Sequence, residues 1–313
     1  MTNLAVETFI RVIEIWVPSA DGRRLEIETG SYSRLTGFQD TSQGMYFAKG
    51  EGLPGMVWQA KRPIVLEDFS GPIFLRKQAA KRAGLAAGIG IPVFDQDRLQ
   101  AVVVLLCGDP ASSAGALEVW SRDVQSHELC LSSGYYGSLK NLRYISNRIR
   151  FGKGIGLPGQ VWASGLPVMM DDLANTKTFL RANTARAEVL KMGLGIPVFT
   201  QNRVDHVVLM LSALDMPLAR MFEIWKPQGG RLVLEASSYG EFESLAQVGV
   251  HQQATSEGLV QDVWTKRKPM MKMGKHFMHW SQVYLSQDEA CQMGLGFPII
   301  DHNEVRAVVV LLM

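Results

Sequence analysis

The chain has 313 residues, 47% of them hydrophobic and 20% charged, with 32 Lys and Arg against 30 Asp and Glu for a formal net charge of +2. That apolar content is enough for several cores, and the near balance of charge gives no field to draw nucleic acid or an anionic membrane surface. No stretch reaches the roughly 18 apolar residues of a membrane span and no basic-flanked leader opens the chain. The three cysteines, Cys107, Cys130 and Cys291, form no CxxC pair, so a cytoplasmic protein without disulfides or structural zinc is expected.

Taken in chain order, the first elements are two strands, IEIWVP and LEIETGSY, joined by the polar turn SADGRR. Their apolar and polar residues alternate with a period near two, the mark of a hairpin. A variable loop over 38–48 leads through FAKG to LPGMVWQAKR, where a proline just inside a helix start is favourable and Leu53, Val57 and Trp58 share one face. After a strand behind Pro63, FLRKQAAKRAGLAA predicts a helix stopped by Gly88. Then GIGIPVF and LQAVVVLLC make a closing hairpin around DQDR.

The same order returns twice: EVW, GIGLPGQVWASGLP, FLR and GLGIPVF, then EIW, SEGLVQDVWTKRKP and GLGFPII. Trp16, Trp120 and Trp225 keep one register; so do Trp58, Trp162 and Trp264, and Pro92, Pro197 and Pro298. In the second copy Gly193 stands as the helix stop; the third lacks the second proline-glycine and the FLR. A period of about a hundred residues is too long for a solenoid and matches an independent domain. The reading is three tandem α+β domains, at 1–109, 110–214 and 215–313, each a mostly antiparallel sheet of five or six strands with helices and loops on one face.

These strings, GxGLPGxVW, the proline-led strand ending in Asp, the F-x-R helix and G-x-G-I-P-V-F, resemble the GAF domain, in three copies of which the third is degenerate. The resemblance implies a pocket between one sheet face and the helices. In that family such pockets take cyclic nucleotides, tetrapyrroles, haem or metabolites and pass a signal to a neighbouring domain. Two features depart from the family. There is no room between copies for long terminal helices, and no output segment follows Met313, so a signal is expected to leave through a separate partner protein. The last strands, AVVVLLC, VVLMLS and AVVVLLM, are apolar at consecutive positions, as in strands buried on both faces. The repeats are therefore expected to pack on one another or on a partner, with a homo-oligomer through the sheet faces.

Trp58, Asp68, Phe74 and Arg76, with Trp162, Asp172, Phe179 and Arg181 in the second copy, are the candidate ligand-binding residues. An Arg fork and a carboxylate at a pocket mouth would orient an anionic or amide-bearing ligand; the alternative is an Asp–Arg bridge that fixes the loop. In the third copy Gly274 and Gln282 fall at the Asp and Arg positions.

GEGLPG and GIGLPG match GxGxxG, yet Pro54 and Pro158 remove a donor that a phosphate loop needs, which favours a structural helix entry. Met270, Met271, Met273, His276, Met278 and His279 crowd one segment in the manner of a soft-metal or haem site. Met270 and Met271, however, align with the core positions Ile64 and Val65, and His127, His206, His251 and His302 read as turn or surface residues. No cofactor is named. The cysteine sets of sulfoxide-reductase and bilin-binding relatives are missing, and no enzyme is expected.

Two functions remain: a cytoplasmic sensor with small molecules in one or two pockets, or an interaction scaffold whose pockets are filled by its own side chains. A redox enzyme is a distant third.

Overall fold

The structure is a computed structural model that describes residues 8–108, 115–213, 216–239, 257–273 and 293–313. Each repeat folds around its own antiparallel sheet, as expected for the α+β reading.

In the first lobe the strands are β1 (Ile10–Pro18), β2 (Arg24–Ser31), β3 (Tyr46–Ala48), β4 (Ile64–Leu66), β5 (Leu85–Asp95) and β6 (Arg98–Gly108). They pair in the order β3-β2-β1-β6-β5-β4. Three helices lie on one face: α1 (Thr36–Gln43), α2 (Gly52–Ala60) and α3 (Lys77–Arg82).

The second lobe repeats the plan with β7 (Gly115–Arg122), β8 (Leu129–Tyr135), β9 (Val168–Met170), β10 (Leu190–Thr200) and β11 (Arg203–Ala213), in the order β8-β7-β11-β10-β9. Its helices are α4 (Lys140–Ser146), α5 (Gly156–Ser164) and α6 (Ala182–Ala187). The third has β12 (Met221–Gln228), β13 (Arg231–Ser238), β14 (Met270–Met273), β15 (Met293–Asp301) and β16 (Glu304–Leu312), in the order β13-β12-β16-β15-β14, with α7 (Leu259–Lys266).

Two sequence expectations shift. The variable loop 38–48 contains the helix α1, and the helix behind Phe74 is only α3, ended not by Gly88 but by Gly84 at φ +64°. Gly88 and Gly193 lie inside β5 and β10, where an added Cβ would sit 2.6 Å from Leu106 and 2.9 Å from Leu211. Missing side chains there admit a neighbour; they do not turn the chain.

In the second lobe the left-handed turn falls on Val189, at φ +56° and exposed. A β-branched residue is strained in that region because Cβ crowds the carbonyl. Val189→Gly is expected to raise the unfolding free energy by about 1 kcal/mol, the strain relieved outweighing the entropy cost of glycine. A urea midpoint that stays put or falls would contradict this.

The continuous apolar runs of the closing strands resolve into two faces. On β6, Val102, Val104 and Leu106 face the lobe's own helices, while Ala101, Val103, Leu105 and Cys107 join a cluster shared by all three lobes. Burial drives the Cys107 thiol pKa far upward. On β11, Val207, Leu209 and Leu211 face the second lobe's own helices, and Val208 and Met210 look into the shared cluster. The three sheets thus pack back to back, and β5, β10 and β15 touch pairwise around a pseudo-threefold axis.

Polar ties lace the seams: Arg143 to Glu67 at 2.8 Å, Arg267 to Asp95 at 2.8 Å, Lys268 to Glu28, and the Phe9 N–H to the Pro217 carbonyl at 2.8 Å. The mutual packing expected from the sequence occurs within one chain, so these faces give no reason for a homo-oligomer. The lobes also cover the surface that long terminal helices would otherwise cover. Among the described residues, no helix is long and apolar enough to cross a membrane.

Candidate functional site

Each lobe opens on Glu-x-Trp, and a strand's period of two puts both side chains on one face. In the first lobe that face looks toward the helices. Glu14 is fully buried, and the Trp16 indole N–H donates to its Oε2 at 3.0 Å. A bulge falls between Ile15 and Trp16, and equivalent bulges fall before Trp120 and Trp225.

Arg76, just ahead of α3, reaches across the core to Glu14. Its Nη2 donates to Oε2 at 2.9 Å and its Nη1 to Oε1. Nη1 also donates to Ser42 Oγ, and the Tyr32 hydroxyl donates to Glu14 Oε1 at 3.1 Å. Aromatic rings surround the guanidinium, with Phe38, Phe74 and Trp16 centroids at 4.7, 5.3 and 5.7 Å from Cζ. Burial, followed by the Glu14 charge, pushes the Tyr32 phenol far above its ordinary value.

The second lobe repeats the constellation. Arg181 Nη2 donates to Glu118 Oε2 at 2.9 Å, the Trp120 indole donates to the same oxygen at 2.9 Å, and Ser146 donates to Oε1 at 2.8 Å. Phe179, Trp120 and Phe151 ring the guanidinium at 5.2, 5.6 and 5.8 Å. Burial alone would raise the Glu118 pKa, but the Arg181 charge and the hydrogen bonds from Arg181, Trp120 and Ser146 outweigh it, and the carboxyl lies below its ordinary range.

In the third lobe the Trp225 indole donates to Glu223 at 2.8 Å and the Tyr239 hydroxyl approaches the same carboxylate at 3.5 Å. Gly274 and Gln282, aligned with the Asp and Arg positions, lie outside the described residues, as do His276, Met278, His279, His251 and Cys291.

The eight candidate residues therefore separate. Phe74 and Arg76, like Phe179 and Arg181, meet in the buried constellation. Trp58 on α2 and Trp162 on α5 are half-buried against their own lobes' cores, and Lys49 Nζ stands 5.9 Å over the Trp58 ring. Asp68 and Asp172 are not the partners of Arg76 and Arg181. Asp68 is exposed and accepts from its own turn, with the Ser70 N–H at 2.8 Å; Asp172 accepts from Asn175 at 2.9 Å and faces Lys191 at 3.7 Å. The Ser70 hydroxyl and Asn175, respectively, hold these carboxyls below the usual range.

The residues that the sequence reading passed over are Glu14, Glu118 and Glu223. Their signal was available: an acidic residue set two before Trp, in an otherwise apolar strand, in all three copies.

Two smaller expectations also resolve. Met270 and Met271 pack half-buried on the shared cluster as core positions, while Met273 is exposed. His206 is not a surface residue; it lies on β11, part-buried, 2.8 Å from Ser121 Oγ, and burial lowers its pKa. Among the described residues, no group of three His, Cys, Asp or Glu could hold a metal ion.

The GAF domain family model matches residues 11–131, which take in the first lobe and the opening hairpin of the second. No curated protein matches the chain. Among solved structures, the GAF domain of an Acinetobacter phosphoenolpyruvate-protein phosphotransferase is 18% identical, covering 32% of this chain and 55% of that one, TM-score 0.25. Free methionine-R-sulfoxide reductase from Neisseria meningitidis is 19% identical over 33% of this chain and 53% of that one, TM-score 0.26. A Staphylococcus aureus NreA protein mutated in its nitrate binding site is 21% identical over 34% of this chain and 79% of that one, TM-score 0.28. The matches thus span little more than half of the first two structures.

Proposed function

Because this chain carries a GAF domain at residues 11–131, a module of small-molecule sensing or protein interaction, we propose that it is a non-enzymatic cytoplasmic interaction scaffold that signals through a protein partner. On this reading the space between sheet and helices in the first two lobes is closed by the protein's own groups.

One observation carries the proposal. The arginines best suited to grip a ligand, Arg76 and Arg181, are 3% and 2% exposed and spend their forks on Glu14 and Glu118. A guanidinium paired bidentately and ringed by aromatic side chains has few donors left for a visitor. Admitting an anion would strand a buried carboxylate, which is costly. The sensor reading needs those donors free.

Native mass spectrometry of the gently purified intact chain tests the proposal. The expected spectrum shows the polypeptide alone or joined to a protein partner. A stoichiometric small molecule that protects the amides of α2 or α5 from hydrogen exchange would overturn it.

A further inference from the structure

Where the three lobes meet, the closing hairpins bring their turns together at one end of the pseudo-threefold axis. The axis itself is tight, a neck of about 30 Å³ between Ile91, Pro92, Ile196, Pro197, Phe297 and Pro298. Above the neck it opens into a cleft of about 540 Å³ to which every lobe contributes. That volume lies within the range of small-molecule sites.

The floor consists of Phe94, Phe199 and Ile300, one from the same position of each hairpin. Each hairpin carries a register shift at that very residue, between Val93 and Phe94, Val198 and Phe199, and Ile299 and Ile300. Bulges re-aim side chains and gather beside binding sites. Here three of them turn an apolar side chain to the same cleft.

The rim has a definite chemistry. Gln96, Gln201, Asn202 and Asn303 supply amides, Asp97 and Asp301 supply the two carboxylates, and the lining contains no Lys or Arg. Asp301 is only 16% exposed and has His302 Nδ1 at 2.8 Å; Asp97 lies out in solvent, with only a long 3.9 Å contact to Lys61. A ligand anion would face two carboxylates with no Lys or Arg in the lining, where the one base is His302, already turned to Asp301. A ligand cation gains both carboxylates and the amide oxygens, and its apolar part gains the two half-buried phenylalanine side chains.

We propose that this axial cleft binds a small organic cation, an ammonium group on an apolar stem, with Asp301 as its principal partner and Phe94 and Phe199 against the stem. The site exists only when all three lobes are in place, which gives the closed arrangement a role beyond stability. It lies outside the lobe pockets, and its fate is independent of whether those are closed.

Calorimetric titration of the intact chain with phenethylamine, and with phenylacetate as a probe of the same stem and opposite charge, tests the proposal. Phenethylamine is expected to bind one to one and at least about tenfold more tightly than phenylacetate. The Asp97→Asn, Asp301→Asn double variant is expected to lose that preference while its melting temperature holds, since Asp97 lies at an exposed turn and an asparagine at the end of β15 still accepts from His302. Equal binding of the two probes, no saturation by phenethylamine up to roughly 10 mM, or a double variant that keeps the preference would each overturn the proposal. Protection from hydrogen exchange at the three hairpin turns, and not at α2 or α5, separates this site from a lobe pocket.

Discussion

Arg76→Met is expected to lower the unfolding free energy by about 3–5 kcal/mol, the cost of leaving one member of a buried ion pair behind. The carboxylate left behind is that of Glu14, which is fully buried. Adding Glu14→Gln removes the charge and keeps one oxygen for the Trp16 indole, which now donates to Oε2 at 3.0 Å; the amide nitrogen then takes the place of Oε1, and the Tyr32 hydroxyl, which now donates there at 3.1 Å, turns to accept from it. The double variant should therefore be more stable than the single one, a coupling of opposite sign to the first loss. Arg76→Lys should recover little, because an ammonium cannot replace the two-pronged grip on Glu14.

Chemical denaturation of the wild type, Arg76→Met, Glu14→Gln and the double variant reads the cycle. An Arg76→Met loss below about 1 kcal/mol, the size of an exposed pair, would mean that the constellation is wet and open to ligands. In the second lobe the same logic carries a pH dependence. Glu118 titrates below its ordinary value near 4.5 in the folded protein, so its contribution is complete above that value and is lost as pH falls through the lower, folded pKa.

The fold was legible because its signals are repeated and periodic. Alternation in the opening hairpins and unbroken apolar runs such as VVLMLS in the closing ones, together with a hundred-residue register, are enough to place a sheet in each lobe. The site was legible only in part. Arg76 and Arg181 stand out as recurring cations in an F-x-R context, but their partners lie 62 and 63 residues earlier, on the other side of the core. Proximity along the chain favoured Asp68 and Asp172, which the structure uses in local turns. The Val189 turn was hidden for a different reason: glycines were expected at the left-handed position as Gly88 and Gly193, whereas Gly84 holds it in one copy and nothing in the second copy's sequence marks a valine as its equivalent. The axial cleft was beyond sequence altogether, since its chemistry arises from three turns brought together only when the lobes close.

A glycine in the middle of a short helix ordinarily marks a place where alanine would stabilise by about 1 kcal/mol. Gly37, in the first turn of α1, is a milder instance: a Cβ there meets nothing within 4 Å, and Gly37→Ala should stabilise. Gly55 in α2 and Gly159 in α5 should do the reverse. A Cβ on Gly55 would lie 2.0 Å from the Ala48 carbonyl oxygen, and one on Gly159 would lie 2.2 Å from that of Gly152.

These obstacles are backbone atoms, tied into place by the Gly50 N–H to the Gly55 carbonyl at 2.8 Å and the Gly154 N–H to the Gly159 carbonyl at 2.7 Å. No side chain can swing aside. The helix would have to move as a body, but its other face is equally tight: the Val57 methyl already occupies the space of a side chain on Gly90, and Val161 that on Gly195. Gly55→Ala or Gly159→Ala is therefore expected to cost about 3 kcal/mol, at the upper end of overpacking penalties and opposite in sign to helix propensity. Thermal or urea unfolding that ranks either variant with Gly37→Ala would remove the packing explanation. The third lobe carries Gln261 at this position, part-buried on α7, so its helix cannot repeat the close approach that the glycine allows in the other two.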